Sequence, residues 1–425
     1  MKRSTHLLGI GTAITLALFA SYALREQANG QAAAAGSNVP TAASREFPEG
    51  TATPSELCGG CHKSIYREYS QGESSDFHWG GMKTNSSSSK ALTLPAGTPP
   101  AATAHAVAGI DPWPLDAIQV EENGRKCNVC HYNEPLVFPD MAAAKIEKPK
   151  ARATGHEQGV TCASCHLTPD GKIRGSYEVN APHATVKEPA IRTSVACAYC
   201  HSDGERVVGK QTQTFLEWRE DFNKPGLGPQ HCQDCHMPRT VRKLAEDFDV
   251  PARVVARHVP NGGHSFNRLS GVLALKVNQV ENGGAKLALQ LTNVGAGHSV
   301  PTGSNRRAVY LIAEVLDAGG KVVASKEWMF APSFADRPDD KAFLEEDRKL
   351  PQAFAARQAD AQGPHESIIR AGEQRVLDWT PELGSGRYRV RARLIHDLNR
   401  YNDREFKDDQ TEIAQAVVDI SVAKR

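Results

Sequence analysis

Alternation of apolar and polar residues is clearest in the last third of the chain. Val272 to Gln279 alternates, Glu-Asn-Gly-Gly at 281–284 supplies a turn, and Lys286 to Asn293 alternates again, which predicts a β-hairpin. Ala308 to Asp317 and Lys321 to Phe330 flank Ala-Gly-Gly and predict a second hairpin. Further strands are predicted over Gln374 to Trp379, over Tyr388 to Ile395, and over Ile413 to Val422. Within the second of these, Tyr388, Val390, Ala392 and Leu394 share one face. Seven short strands between residues 269 and 425 predict an all-β sandwich domain, plausibly of immunoglobulin-like type. The charged stretch Ala331 to Ser367 reads as a long insertion. Apart from His298, which would tie it to the preceding region, no residue there marks chemistry, so this domain is expected to serve structure or partner docking.

The opposite end carries a different pattern. Lys2 and Arg3 precede an apolar run from Leu7 to Ala20, and Ser21-Tyr22-Ala23 then offers the small residues a signal peptidase prefers. The run is shorter than the roughly 20 residues a bilayer span needs. Residues 1–23 are therefore expected to be a cleaved signal peptide, leaving no integral membrane span. No cysteine precedes Cys58, which excludes a lipoprotein anchor. Residues 24–54, rich in Ala, Gly, Ser and Thr, read as a flexible linker. The chain is expected in the periplasm or at the cell surface.

Between these ends the cysteines decide the class. All ten fall into five copies of one motif: Cys58 to Cys61 with His62, Cys127 to Cys130 with His131, Cys162 to Cys165 with His166, Cys197 to Cys200 with His201, and Cys232 to Cys235 with His236. The two thiols of C-x-x-C-H add across the vinyl groups of a haem, and the histidine becomes the proximal iron ligand. Five disulfides would not require a histidine after every pair. With 16 histidines in 425 residues, chance would place one after all five pairs about once in ten million sequences. Structural zinc would use the pairs two at a time and leave one over. A thioredoxin-like redox pair predicts one motif, not five. Five covalently attached haems c, with their iron, are the expectation. Successive motifs from 127 to 232 start 35 residues apart, so the groups are delivered at close intervals along the chain. Residues 55–268 are thus expected to form a mainly α or irregular pentahaem cytochrome c domain.

Ten histidines remain after the five proximal ones and His6, a surplus that fits bis-histidine ligation. His78 follows the helical-looking stretch around Ile65, Tyr66 and Tyr69. His183 sits in a stiff Ala-Pro-His, His258 and His264 bracket a Pro-Asn-Gly-Gly turn, and His298 lies in Gly-His-Ser-Val-Pro-Thr-Gly. These five are the distal candidates. His156 and His231, each close before a haem motif, are reserves, and His365 and His396 read as loop and strand residues. Met82, Met141, Met237 and Met329 are poorer candidates, and Met237 is expected to pack on a porphyrin.

Composition changes the picture in two places. With 50 basic against 49 acidic residues, nothing argues for a nucleic-acid surface. Aromatic residues make up only 6%, so something besides large side chains is needed to fill the interior.

Several segments resemble a known superfamily. Ser-Glu-Leu-Cys58-Gly-Gly-Cys61-His62 with Ile65-Tyr66 and a later histidine resembles the first haem site of the tetrahaem electron carrier of ammonia oxidisers. Gly159-Val160-Thr161 before the third motif with Asp170-Gly171 after it, and Met237-Pro238-Arg239 after the fifth, resemble the same superfamily. It also includes pentahaem nitrite reductases and octahaem hydroxylamine-oxidising enzymes. Asn293 to Gly303 resembles a motif of multihaem cytochromes with a C-terminal β domain. The resemblance implies His78, His183 and His298 as distal ligands, with His258 or His264 as another. Two departures weigh against an enzyme: every motif here ends in histidine where those nitrite reductases use a lysine, and no counterpart of the cross-linking tyrosine of the hydroxylamine-oxidising enzymes is evident. The leading expectation is an electron carrier of a respiratory chain, passing electrons between redox partner proteins such as other cytochromes or a membrane quinol oxidoreductase. Self-assembly through the β domain is a variant of that reading. The alternative is an oxidoreductase acting on a small nitrogen or sulfur compound at one five-coordinate haem. Arg239, Arg253 and Arg257 would then steer an anion, although pairing with haem propionates is the favoured role for them.

Overall fold

The structure, a computed structural model, describes residues 53–71, 128–138, 150–154, 158–177, 179–201, 214–228, 230–260, 262–303, 307–331, 368–398 and 410–424. In the first region the helices are short and coincide with the motifs. α1 (Ser55–Gly59) and α2 (Lys63–Gln71) bracket His62, α3 (Asn128–His131) and α4 (Cys162–His166) follow, and β1 (Ile173–Gly175) pairs in parallel with β2 (Thr185–Lys187). α5 (Val195–His201) carries the fourth motif, and α6 (Thr214–Glu217) runs into a π-helical segment, Trp218–Asn223. α7 (Cys232–His236) carries the fifth motif, β3 (Arg239–Arg242) pairs antiparallel with β4 (Arg253–Ala256), and α8 (Phe266–Leu269) closes the region.

A single helical turn is what each motif requires, because residues three and four apart lie on one face. Both cysteines and the histidine therefore point the same way. Turns this short do not persist alone and must be held by neighbours. At the first motif Gly59 allows this: a Cβ there would sit 2.5 Å from the Tyr66 ring, so glycine lets α2 fold back against α1. Tyr66 then donates its hydroxyl to Glu56 at 2.9 Å.

The last region is a sheet structure, and all seven strands expected from the sequence are present within a few residues of their expected bounds. β5 (Leu273–Gln279), β6 (Leu287–Asn293) and β9 (Gln374–Trp379) form a three-stranded sheet in the order β5-β6-β9. β7 (Ala308–Leu316), β8 (Val322–Phe330), β10 (Gly386–Asp397) and β11 (Gln410–Val422) form a four-stranded sheet in the order β11-β10-β7-β8. All these pairings are antiparallel. In a constant-type immunoglobulin domain the fourth strand belongs to the same sheet as the first two; here β8 pairs with β7 in the other sheet. Leu287, Leu289 and Leu291 of β6 alternate with outward residues and face Val390, Ala392 and Leu394 of β10 across one shared core. The opposite face of β10 carries Arg387, Arg389, Arg391 and Arg393. Leu269 of α8 and Val300 also enter this core, which joins the two regions. The expected insertion at 332–367 lies outside the described residues.

Candidate haem centres

The motif helices do not stand apart. The Cys58 and Cys162 thiols share a hydrogen bond, as do Cys197 with Cys232 and Cys200 with Cys130. The bond from Cys58 holds the Cys162 thiol down to about 7 while Cys58 is raised, and the same split places Cys232 at about 7 and Cys197 well above its ordinary value. First and third motifs, fourth and fifth, and second and fourth are thus neighbours. Cys165 adds a charge influence on Cys197 and Cys200, which links the third motif to the fourth. Two of the pairs are joined in the same way. The Cys162 amide donates to Ser55 Oγ at 3.2 Å, and the Cys232 amide donates to Ser194 Oγ at 3.1 Å. Each serine stands three residues before the first cysteine of its own motif, and each is buried. The partner helices are closed alike: the Thr161 amide donates to Ser164 Oγ, and the His231 amide donates to Asp234 Oδ2.

Three proximal imidazoles each face a second histidine. His62 and His183 have ring centres 6.4 Å apart, His166 and His258 are 6.1 Å apart, and His236 and His298 are 6.2 Å apart. The last pair is within 15° of parallel, yet its spacing is well beyond that of directly stacked rings. An iron between two imidazoles, with metal–nitrogen bonds of about 2.0 Å and about 1.1 Å more from each nitrogen to its ring centre, would give a spacing of about 6.2 Å. Axial ligation by two histidines therefore fits these residues.

The ring nitrogens agree with that role. His62 Nδ1 donates to Leu244 O at 2.7 Å, His166 Nδ1 to Arg174 O at 3.0 Å, His258 Nδ1 to Ala256 O at 3.1 Å, and His298 Nδ1 to Ser299 O at 2.9 Å. A carbonyl can only accept, so Nδ1 holds the proton and the opposite nitrogen is left for a metal. Burial lowers the His166 and His183 pKa values. Burial, then the neighbouring His166 and Arg242, brings His258 down to about 4. Neutral imidazole is the ligating form.

The backbone explains how these rings meet. His183 lies just before β2, whose pairing with β1 starts at Ile173↔Thr185. β1 also carries Arg174, the carbonyl partner of His166, so one small ribbon serves two sites. His258 follows β4. Its amide donates to the Glu68 carboxylate of α2 at 2.9 Å, and Arg242 and Arg257 donate to the same carboxylate at 2.8 and 2.9 Å. These bonds hold Glu68 below the usual carboxylate range although its burial acts the other way. His298 sits in the loop after β6, where Asn293 Nδ2 donates to His298 O at 2.9 Å and Asn293 Oδ1 accepts from the Ala296 amide at 3.1 Å.

The remaining candidates fall elsewhere. His264 is buried with Nε2 3.3 Å from an Arg307 Nη2, beside the wall where His396 meets Gly263. His231 Nδ1 accepts from the Ser194 amide at 3.3 Å, and its ring lies 6.1 Å from that of Trp218. Arg257 spends its Nε on Glu68, and Arg239 reaches Asp234 at 3.5 Å. Arg253 pairs in register with Arg242. Cys127, His78, His156 and His365 lie outside the described residues. Ser55, Ser194, Glu68 and Glu217 were not anticipated as site residues, whereas Asn293 opens the motif already singled out at 293–303. Of those four, only the serines left a signal, the repeated S-x-x-C-x-x-C-H at 55–62 and 194–201. Arg174 points to a bound acid: it is 3% exposed, lies over the Phe138 ring and donates to Leu167 O, and its Nε has no hydrogen-bond partner among the described residues. A propionate would suit it.

No protein-family model and no curated protein matches the chain. Among solved structures, a penta-haem cytochrome c552 from Thermochromatium tepidum is similar over 87% of this chain and 99% of that one, at 16% identity and a TM-score of 0.47. The C-terminal domain of wzt aligns with 37% of this chain and 76% of its own length, at 11% identity and a TM-score of 0.21. A β-glucuronidase of Bacteroides uniformis aligns with 37% of this chain and 14% of its own, at 14% identity and a TM-score of 0.16. At such identities and scores these likenesses carry no argument about function.

Proposed function

We propose that this chain is a multihaem c-type cytochrome that carries five covalently attached haems c and passes single electrons along them between redox partner proteins. One observation carries the reading: three C-x-x-C-H histidines each face a second histidine across a gap the size of a ligated iron. On this reading His183, His258 and His298 are the distal ligands for the motifs of His62, His166 and His236. Between the two histidines of the turn after β4, it takes His258. When bound, each haem would supply a one-electron iron couple, kept low in potential wherever two imidazoles hold its iron. The chain's own carbonyls hold the His62, His166, His258 and His298 rings through Nδ1, and burial lowers the pKa of His166, His183 and His258. The chain also sets the order of the groups: through the cysteine contacts the first lies beside the third, and the fourth beside both the second and the fifth. A disulfide reading of the same cysteine contacts leaves the facing histidines without a purpose.

Export to the periplasm or cell surface belongs to this proposal and rests on the N-terminal pattern. Among the described residues no helix is long and apolar enough to cross a membrane. The test is a haem count by pyridine haemochrome together with electron paramagnetic resonance of the oxidised holoprotein. Five haems per chain, all low-spin, are expected. A count below five would defeat the proposal. A high-spin haem that responds to nitrite, hydroxylamine or sulfite would replace the carrier by an oxidoreductase with an open distal face.

A further inference from the structure

The β domain supplies His298, the distal candidate that its sequence had offered. What fixes that histidine opposite His236 is not the β domain alone. The loop from Gly295 to Gly303 contains three glycines, one of them, Gly303, in the left-handed region at φ 82°. Its own domain holds it through Asn293, which binds His298 O and the Ala296 amide, and through Val300, which exchanges two hydrogen bonds with Ile369 at 2.9 Å. A second grip comes from the other region. Glu217, the last residue of α6, directs Oε2 at the loop and accepts from the Ser299 amide at 3.2 Å and from Thr302 Oγ1 at 2.6 Å. Thr302 Oγ1 lies a further 2.8 Å from Thr214 Oγ1, so with its proton given to Glu217 it accepts from Thr214. The Phe222 ring of the π-helical segment rests on Gly297, where a Cβ would come within 3.3 Å of it.

The same segment also reaches the proximal side. Trp218 Nε1 donates to Gln230 O at 3.0 Å, two residues before the first cysteine of the fifth motif. A stretch from Thr214 to Phe222 therefore touches the chain just before His236 and just beyond His298, and acts as a caliper for the 6.2 Å spacing between the two rings. No cation pairs with Glu217 among the described residues, so its carboxylate is given to the loop. The arrangement repeats a device seen at His258, where Glu68 accepts from the histidine's own amide but shares its charge with two arginines.

We infer that Glu217 is the positioning residue that presents His298 as the distal ligand of the haem on Cys232 and Cys235, and so makes the β domain part of that haem site. The inference rests on the proposed ligand role of His298, and the test separates the two. Holoproteins carrying His298→Ala, Glu217→Ala, Glu217→Gln and Thr302→Val are compared by haem count and electron paramagnetic resonance, with and without added imidazole. His298→Ala is expected to turn one haem in five high-spin, and imidazole to restore it. Glu217→Ala should give the same signature with five haems still attached. Glu217→Gln keeps an acceptor oxygen and should stay low-spin, and Thr302→Val should show a partial high-spin fraction at the same haem. If His298→Ala is high-spin while Glu217→Ala and Thr302→Val remain fully low-spin, the positioning role is wrong and the ligand assignment stands. If His298→Ala itself leaves five low-spin haems, the ligand assignment falls first. Should Glu217→Ala fail to fold, Thr302→Val decides alone: unchanged spectra overturn the inference.

Discussion

The two regions of this molecule obtain an interior by different means. In the β domain, strand after strand alternates, and the inward residues of two sheets close on one another without a gap for anything else: Leu289 and Leu311 have no solvent exposure at all. The first region has helices of one or two turns and buries polar residues such as Arg174, Asn133 and Ser194. Its described apolar groups, for example Ala198 with Phe215 and Trp218, are small. A chain that buries so little of its own apolar surface cannot offset the entropy of ordering it. On the proposed function, one region is complete as a polypeptide, while the other is a set of attachment points around planar groups that would complete its core.

The comparison breaks or holds most visibly when the haems are withheld. The full-length chain with all five cysteine pairs replaced by serine is expected to lose the protease resistance of residues 55–268 entirely, while a resistant fragment containing β5 to β11 survives. Limited proteolysis with mass spectrometry of the fragments reads this directly. Equal resistance of both regions would mean that the first one folds without its prosthetic groups, and equal sensitivity that the β core is not self-sufficient.

A smaller effect tests the β core by itself. Leu289 is buried between Val277 of β5 and Leu377 of β9, its neighbours in register, and faces the other sheet. Leu289→Ala should destabilise the β domain by about 2–5 kcal/mol, the usual range for a buried leucine that leaves a cavity. Denaturant unfolding followed by β-sheet circular dichroism should show the shift, with haem absorbance moving less. If both signals move together, the two regions unfold as one cooperative unit and the division drawn above is structural only.

The same contrast explains what could be read in advance. Period-two alternation is a local signal, so the seven strands from Leu273 to Val422 were visible to within a few residues of their bounds, and the C-x-x-C-H motifs are local as well. The ring pairs are not. His166 and His258 stand 92 residues apart in the sequence and meet because β4 returns along β3 and Glu68 captures the amide of His258. Nothing in the spacing of a lone histidine encodes such a return. Pro-Asn-Gly-Gly could not say which of its flanking histidines would face a proximal ring. The fourth strand's change of sheet was illegible for a related reason: a β-hairpin fixes that β8 pairs with β7, whereas the sheet it joins depends on the tertiary packing of β7.

The smallest effect sharpens the comparison within the first region. Ser55 and Ser194 each accept an amide hydrogen bond from the first cysteine of another motif, at 3.2 and 3.1 Å, and each occupies the same position relative to its own motif. A neutral buried bond of this kind contributes about 0.5–1.5 kcal/mol. Ser55→Ala and Ser194→Ala should therefore each lower stability by about 1 kcal/mol, and by nearly equal amounts, when thermal unfolding of the holoprotein is followed at the haem absorbance band. Equal, small losses are expected because, on the proposed function, covalently attached haems would hold the paired motifs together and the serines would select the register in which one motif helix starts against the other. Unequal losses would mean that the two pairs only look alike. A loss of several kcal/mol at either site would assign to the polypeptide a share of the core that the contrast with the β domain gives to haem.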